Sequence, residues 1–300
     1  MNYYDEIKQK IIDNEIYLKV KDYSKERNTV IIYFEIGKLL YEAGSKYGEN
    51  IIENYSDRLM SEVGKKYNKR TLFRMRQFYK IFSNEKVSPV WTHLTWSHFR
   101  ELLKYNNYDV INYYLNICVT QNLSVRELAK KIKNSEYERL DDKTKEKLIN
   151  VEELKIADYV KKPILLNNNY NYNDISEKIL KKLIIEDLDN FMRELGNNFS
   201  YIGNEYKIKI GNNYNYIDLL LYNIRFKCYV VIELKVTNLK KEHIGQIQTY
   251  MNYIDKNLKT FDEDKTIGII ICKKDNKFIM EYCSDDRILC REYKLISNNF

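Results

Sequence analysis

YNYIDLLLYNIRFKCYVVIELKVTN, residues 214–238, holds two apolar runs of strand length separated by a polar turn. The runs YNYIDLLLY (214–222) and CYVVIELKV (228–236) are rich in β-branched and aromatic residues. The Asn223-Ile224-Arg225 turn is short enough to return the chain antiparallel to itself. Charge interrupts each run: Asp218 in the first, Glu233 and Lys235 in the second. Side chains alternate faces along a strand, so Glu233 and Lys235 share one face while Ile232 and Leu234 fill the other. Pairing the strands about the turn brings Asp218 towards Glu233. The Glu-x-Lys spacing alone says little, since it recurs at Glu6/Lys8, Glu153/Lys155, Glu205/Lys207, Glu263/Lys265 and Glu292/Lys294.

Outward from the hairpin, the pattern is that of an α/β domain. A helix is predicted from Asp174 to Leu195, ending at Gly196, followed by the strand YKIKI (206–210) and a Gly-Asn-Asn turn. After the hairpin, Ile244, Ile247, Met251, Ile254 and Leu258 recur at helical spacing over 240–258. TIGIIIC (266–272) then reads as a buried strand, and FIMEYC (278–283) and REYKL (291–295) as extensions of the sheet. Residues 3–157 read instead as successive helices: EIGKLLYEAG ends an apolar face at Gly44, and Ser124 and Glu127 have capping-box spacing. The segment KKPILLNNNYNYN (161–173), with a proline and an Asn/Tyr-rich run, is the expected linker. The expected organisation is α + α/β: an all-helical domain over 1–160, a linker over 161–173 and an α/β domain over 174–300.

Three hundred residues with 44% hydrophobic content suffice for two packed cores. The first 150 residues carry 27 Lys and Arg against 21 Asp and Glu, the second 150 carry 23 against 22, so the basic excess sits in the helical half. That asymmetry suits a polyanionic partner. Cys118, Cys228, Cys272, Cys283 and Cys290 form no CxxC pair and several interrupt apolar runs, as buried free thiols in a reducing compartment do. With no signal-peptide core in MNYYDEIKQK and no apolar run near the ~18 residues that span a bilayer, the expected location is the cytoplasm and no membrane partner is implied.

Two carboxylates and an ammonium in an apolar hairpin are costly unless they pair or bind a cation. One answer is an ordinary salt bridge of Lys235 with Glu233 or Asp218. The other is a hard divalent ion: Asp218, Glu233 and the carbonyl of Leu234 form an oxygen donor set for Mg²⁺, with Lys235 beside it to orient or deprotonate a water and balance charge during phosphodiester hydrolysis. Gln246 and Tyr250, four apart, lie on one face of the following helix and can turn together towards the same strand ends.

The ordered set YIDLLLY, CYVVIELKV and HIGQIQTY resembles the PD-(D/E)XK nuclease superfamily, and in detail its YhcG family. EIGKLLYE, RTLFRMRQFY, LTWSHFRELL and SVRELAKKI are similar to that family's amino-terminal helical domain, and TIGIIICK and REYKL to its closing strands. The resemblance implies a restriction-endonuclease-like core with a mixed sheet and Mg²⁺- or Mn²⁺-dependent cleavage of nucleic acid, DNA foremost, in repair, recombination or defence. It makes Asp218 and Glu233 metal ligands and Lys235 the catalytic lysine, matches Gln246 and Tyr250 to a Gln-x-x-x-Tyr signature, and offers Glu177 as a further acidic ligand from the first helix. Asp174 and Glu177 also have capping spacing, and Ile217 stands where the superfamily's name has proline.

In the helical half, KKYNKRTLFRMRQFYK (65–80) carries seven cations and no acid. As a helix it sets Arg70, Arg74 and Gln77 along one side and Leu72, Met75 and Tyr79 on another. Lys69, Arg70, Arg74, Arg76 and, further on, Arg100 are the expected nucleic-acid contacts. Trp91, His93, Trp96 and His98 lack acidic or thiol partners and are assigned to core packing, and His243 receives no role. A non-catalytic nucleic-acid-binding or assembly protein with a structural nuclease fold is the alternative, and self-association is left open.

Overall fold

The apolar periodicity of the first half resolves into helices. The computed structural model describes residues 2–19, 25–48, 50–83, 94–170, 172, 174–196 and 198–297. Its first unit, residues 1–137, holds α1 (Tyr3–Lys19), α2 (Lys25–Tyr47), α3 (Asn50–Glu62), a 3-10 turn at Lys65–Tyr67, α4 (Lys69–Phe82), α5 (Trp96–Leu102), α6 (Tyr108–Thr120) and α7 (Val125–Lys133). Helix α4 starts where Asn68 accepts the Thr71 N–H at 3.1 Å, and α7 starts on the expected capping box, with the Ser124 N–H donating to Glu127 at 2.8 Å. Gly44 does not end its helix: α2 runs on to Tyr47 and the left-handed residue follows at Gly48 (φ 87°). Gly44 instead admits the Arg76 guanidinium, which a Cβ there would meet at 3.1 Å. Helix α4 links two cores, with Leu72 and Met75 packed among Ile7, Ile36 and Leu40, and Phe78 and Phe82 among Phe99, Ile111 and Tyr114.

The second unit, residues 138–300, begins with α8 (Asp142–Asn150), α9 (Ile156–Tyr159) and β1 (Ile164–Asn167). The expected linker thus contains a fully buried strand, paired parallel to the last strand from Ile164↔Tyr293 to Asn167↔Ile296. A buried ion pair fixes it. Arg139 grips Glu194 with both guanidinium nitrogens, and Glu194 also accepts the Leu165 N–H at 3.0 Å. The predicted helix 174–195 is two, α10 (Glu177–Glu186) and α11 (Leu188–Leu195), broken at Asp187.

β2 (Phe199–Ile210), β3 (Asn213–Asn223) and β4 (Cys228–Asn238) follow, then α12 (Lys241–Asn257), β5 (Ile267–Lys274), α13 (Lys277–Glu281) and β6 (Ile288–Ile296). FIMEYC is therefore largely helical rather than extended: Asn276 caps it by accepting the Ile279 N–H. The sheet order is β1-β6-β5-β4-β3-β2, with β2, β3 and β4 antiparallel to their neighbours in the series and β4, β5, β6 and β1 parallel. Each face has its own core. Ile232, Leu234, Ile269 and Ile271 pack with α10 and α11 on one side, and Val231 and Ile270 pack with Ile247, Met251 and Ile254 of α12 on the other. Helix α12 lies close because Gly268 has no side chain; a Cβ there would stand 2.5 Å from Met251 Sδ.

Candidate active site

The β3–β4 ladder runs from Asn223↔Cys228 to Leu219↔Ile232 and stops. One step on, where Asp218 comes opposite Glu233, the Asp218 carboxylate takes the place of a main-chain acceptor and receives the Leu234 N–H at 2.9 Å. The strands fork there, and β4 stays paired to β5 through Lys235↔Cys272 before its register shifts. The fork holds Asp218, Glu233 and Lys235, as the two-residue period predicts.

Of the two expected salt bridges, Lys235 makes the one with Glu233, and Asp218 pairs instead with a lysine of α10. Lys235 Nζ lies 3.3 Å from Glu233 Oε2, while Asp218 Oδ1 is 2.7 Å from Lys181 Nζ on α10, which also reaches Glu205 of β2 at 3.3 Å. Burial pulls the Lys181 ammonium down, but the Asp218 and Glu205 carboxylates outweigh it and hold it above the ordinary lysine range. Neither Lys181 nor Glu205 was singled out from the sequence. The one available signal was Lys181 standing a helical turn after Glu177.

Glu233 is 2% exposed, and among the described residues its Oε1 has no hydrogen-bond partner. Burial first, and the Asp218 charge second, push its carboxyl up to about 7 against the pull of Lys235. A buried carboxylate with an unused oxygen beside a second carboxylate is the environment a divalent cation relieves. Among the described residues no three His, Cys, Asp or Glu side chains cluster as a metal site. Asp218 and Glu233, with a carbonyl such as that of Leu234, would be the protein's share, which suits Mg²⁺, an ion that usually keeps several waters.

On α12, Gln246 Nε2 donates to the Tyr250 hydroxyl at 3.1 Å. This places the pair on one helix face, as expected, though neither side chain bonds to Asp218, Glu233 or Lys235. His243, buried at the start of α12, accepts the Lys240 N–H at 3.2 Å. Burial, then the Lys235 charge, hold its imidazole below the usual value, so it is neutral at pH 7. Glu177 is exposed at the first position of α10 and does not cap it; Ser176 does, accepting the Ile179 N–H at 3.2 Å. The Glu177 charge is felt at His243, but no contact joins it to the fork.

The five basic residues expected to touch nucleic acid separate into two groups. Arg70 and Arg74 stand a turn apart on α4, and their charges and that of Arg100 bear on one another. Lys69 and Arg76, seven apart, face elsewhere: Lys69 pairs with Glu53 at 2.8 Å, and Arg76 packs over Phe73 and beside Gly44. His98 and Trp96 are packing residues as predicted, with His98 Nε2 3.0 Å from the Leu123 carbonyl and Trp96 edge-on to Phe78. Trp91 and His93 lie outside the described residues.

Residues 157–299 match the family model described as the YhcG PDDEXK nuclease domain, and residues 7–139 that of the DUF1016 N-terminal domain. A protein of Escherichia coli (strain K12), "Putative nuclease YhcG", is 24% identical over 308 residues, covering 88% of this chain and 82% of that protein. Among solved structures, a repair endonuclease from Pyrococcus abyssi and an EndoMS-dsDNA2 complex match 42% and 44% of this chain at 16% and 18% identity, each with a TM-score of 0.29. This chain covers about half of those two, 49% and 50%, a likeness too slight to bear on the site. The two family matches lie in tandem and leave little of the sequence outside them, so the chain belongs to the YhcG family: a DUF1016 N-terminal domain followed by a YhcG PDDEXK nuclease domain.

Proposed function

We propose that this chain is a Mg²⁺-dependent nuclease, with Mn²⁺ as a substitute, that hydrolyses phosphodiester bonds of DNA in repair, recombination or defence, and that it works in the cytoplasm. The observation that carries the reading is the unused buried oxygen of Glu233 across the fork from Asp218. When bound, a divalent ion supplies Lewis acidity towards a phosphoryl oxygen and makes water a competent nucleophile near neutral pH. The chain's own residues do the positioning. Asp218, fixed by the Leu234 N–H, and Glu233, fixed in the wall of the sheet, hold the donor set rigid. Lys235, 12% exposed and braced on Glu233, presents its ammonium to the attacked phosphate and orients the incoming water. Gln246 and Tyr250, already joined, supply uncharged donors for a phosphate or base. The five free cysteines fit the reducing setting proposed.

The test is cleavage of labelled DNA and RNA in duplex, single-stranded and branched forms, with Mg²⁺, Mn²⁺ or chelator. Asp218→Ala, Glu233→Ala and Lys235→Ala should each lower cleavage by at least about 100-fold, on the scale of losing a positioned catalytic group. Calorimetry should show Mg²⁺ binding lost in the two carboxylate variants. Cleavage that survives all three substitutions sinks the assignment.

A further inference from the structure

The helical unit contains a cavity that this chemistry does not use. Its volume is about 170 Å³, and Lys66, Thr71, Arg74, Trp96, Arg100 and two tyrosines line it. Arg70 does not line the cavity, but it stands one helical turn before Arg74, which feels its charge. Lys66 is ion-paired to Glu15, which also accepts the hydroxyl of Tyr67. The three arginines are different. Among the described residues no carboxylate pairs with Arg70, Arg74 or Arg100 and no acceptor takes a hydrogen bond from them; Glu101 acts on Arg74 from a distance and more weakly than either neighbouring arginine. Burial, with Arg70 and Arg100 beside it, holds the Arg74 guanidinium below the ordinary arginine range. Fixed forks of N–H donors, crowded and unneutralised around a concave site, are what an oxyanion relieves.

The shape narrows the anion. A surface that follows a nucleic-acid backbone spreads its cations along a path of singly charged diesters. Here they converge on one cavity, smaller than the ~300–1,000 Å³ pockets that enclose whole drug-sized ligands. A phosphomonoester concentrates about −1.5 to −2 charges and three acceptor oxygens in one tetrahedral group. We propose that this cavity binds the terminal phosphate of a nucleic-acid strand, gripped by Arg74 and Arg100 with Trp96 as its wall and Arg70 one helical turn from Arg74. The inference rests on the reading that the chain acts on nucleic acid, and makes the helical domain a reader of strand ends.

The chain has two tryptophans, so Trp91→Phe in the full-length protein leaves Trp96 as the reporter. Its emission is followed, in chelator to prevent cleavage, during titration with one oligothymidylate bearing a 5′-phosphate, a 3′-phosphate or hydroxyls at both ends. One phosphorylated form should bind about tenfold more tightly than the hydroxyl form, the effect of one charge-assisted hydrogen bond, and which form does so identifies the end. Arg100→Ala, at an exposed position, and Arg74→Lys, which keeps the charge but not the fork, should each erase that preference with unchanged circular dichroism. Equal affinity for all three oligomers, or a preference that survives both substitutions, overturns the proposal. Asp218-dependent cleavage without end preference would refute this inference alone; end preference without any cleavage would refute the nuclease reading alone.

Discussion

Glu233 is a carboxylate placed where the fold disfavours its charge. The unfolded chain releases this proton near 4.5 and the folded chain near 7. Between those values the folded state binds more protons, so the contribution of Glu233 is fully present below 4.5 and is lost as pH rises to about 7. At ~1.4 kcal/mol per unit, the loss is about 3 kcal/mol at most. Glu233→Gln removes this titration while every other group titrates equally in both proteins. The attraction of Lys235 is already contained in the folded value, so its loss in the variant adds no separate pH-dependent contribution. In urea unfolding with chelator present, the variant's stability relative to the parent should climb between pH 4.5 and about 7 and level off above. A difference that stays flat across this range would mean Glu233 is not buried as a charged group. Lys181 shows the complementary arrangement: from α10 it pairs with the second carboxylate of the fork, so each of the two acids has a lysine of its own.

The fork depends on elements that hold the sheet from its far edge. β1 is tied down by the Arg139–Glu194 pair, by Arg139 donating to the Pro163 carbonyl at 2.8 Å, and by Arg291 of β6, which donates to the Ala157 and Val160 carbonyls at 3.1 and 3.2 Å. Glu194→Ala should cost about 3–5 kcal/mol, because it leaves a buried guanidinium uncompensated and the Leu165 N–H unsatisfied. A lowered urea midpoint, with cleavage per folded molecule retained, is the expected result; an unchanged midpoint would show that the pair does not secure β1. None of this was legible in the sequence. A four-residue strand between proline and asparagines has no period to read, and its partners stand some 30 and 130 residues away in the chain. FIMEYC failed for a related reason, since six residues fit a helical turn as well as a strand until Asn276 is seen to cap them. The Asp218–Glu233 juxtaposition was legible because a short turn fixes antiparallel register and a strand has a period of two. The Lys181–Asp218 contact, made across layers, was not.

At the scale of the whole molecule, the two units differ in charge and in core. The second unit contains both faces of its sheet core and the Arg139–Glu194 pair, so a polypeptide of residues 138–300 has what a domain needs to fold alone. It also contains the complete fork, so calorimetry of the fragment should give the same Mg²⁺ affinity as calorimetry of the full chain. What it lacks is the basic excess of the first half and the Arg70, Arg74 and Arg100 cluster. Its affinity for DNA should therefore be lower, and its dependence on salt shallower, by about 0.9 in the logarithmic slope for each phosphate no longer neutralised. Anisotropy titrations of both polypeptides from low to moderate salt, in chelator, measure this difference directly. Loss of Mg²⁺ binding in the fragment would mean that the fork is not self-sufficient. Parallel salt lines for the two would mean that the nuclease domain makes all the phosphate contacts and that the arginines of α4 and α5 balance charge for some other partner.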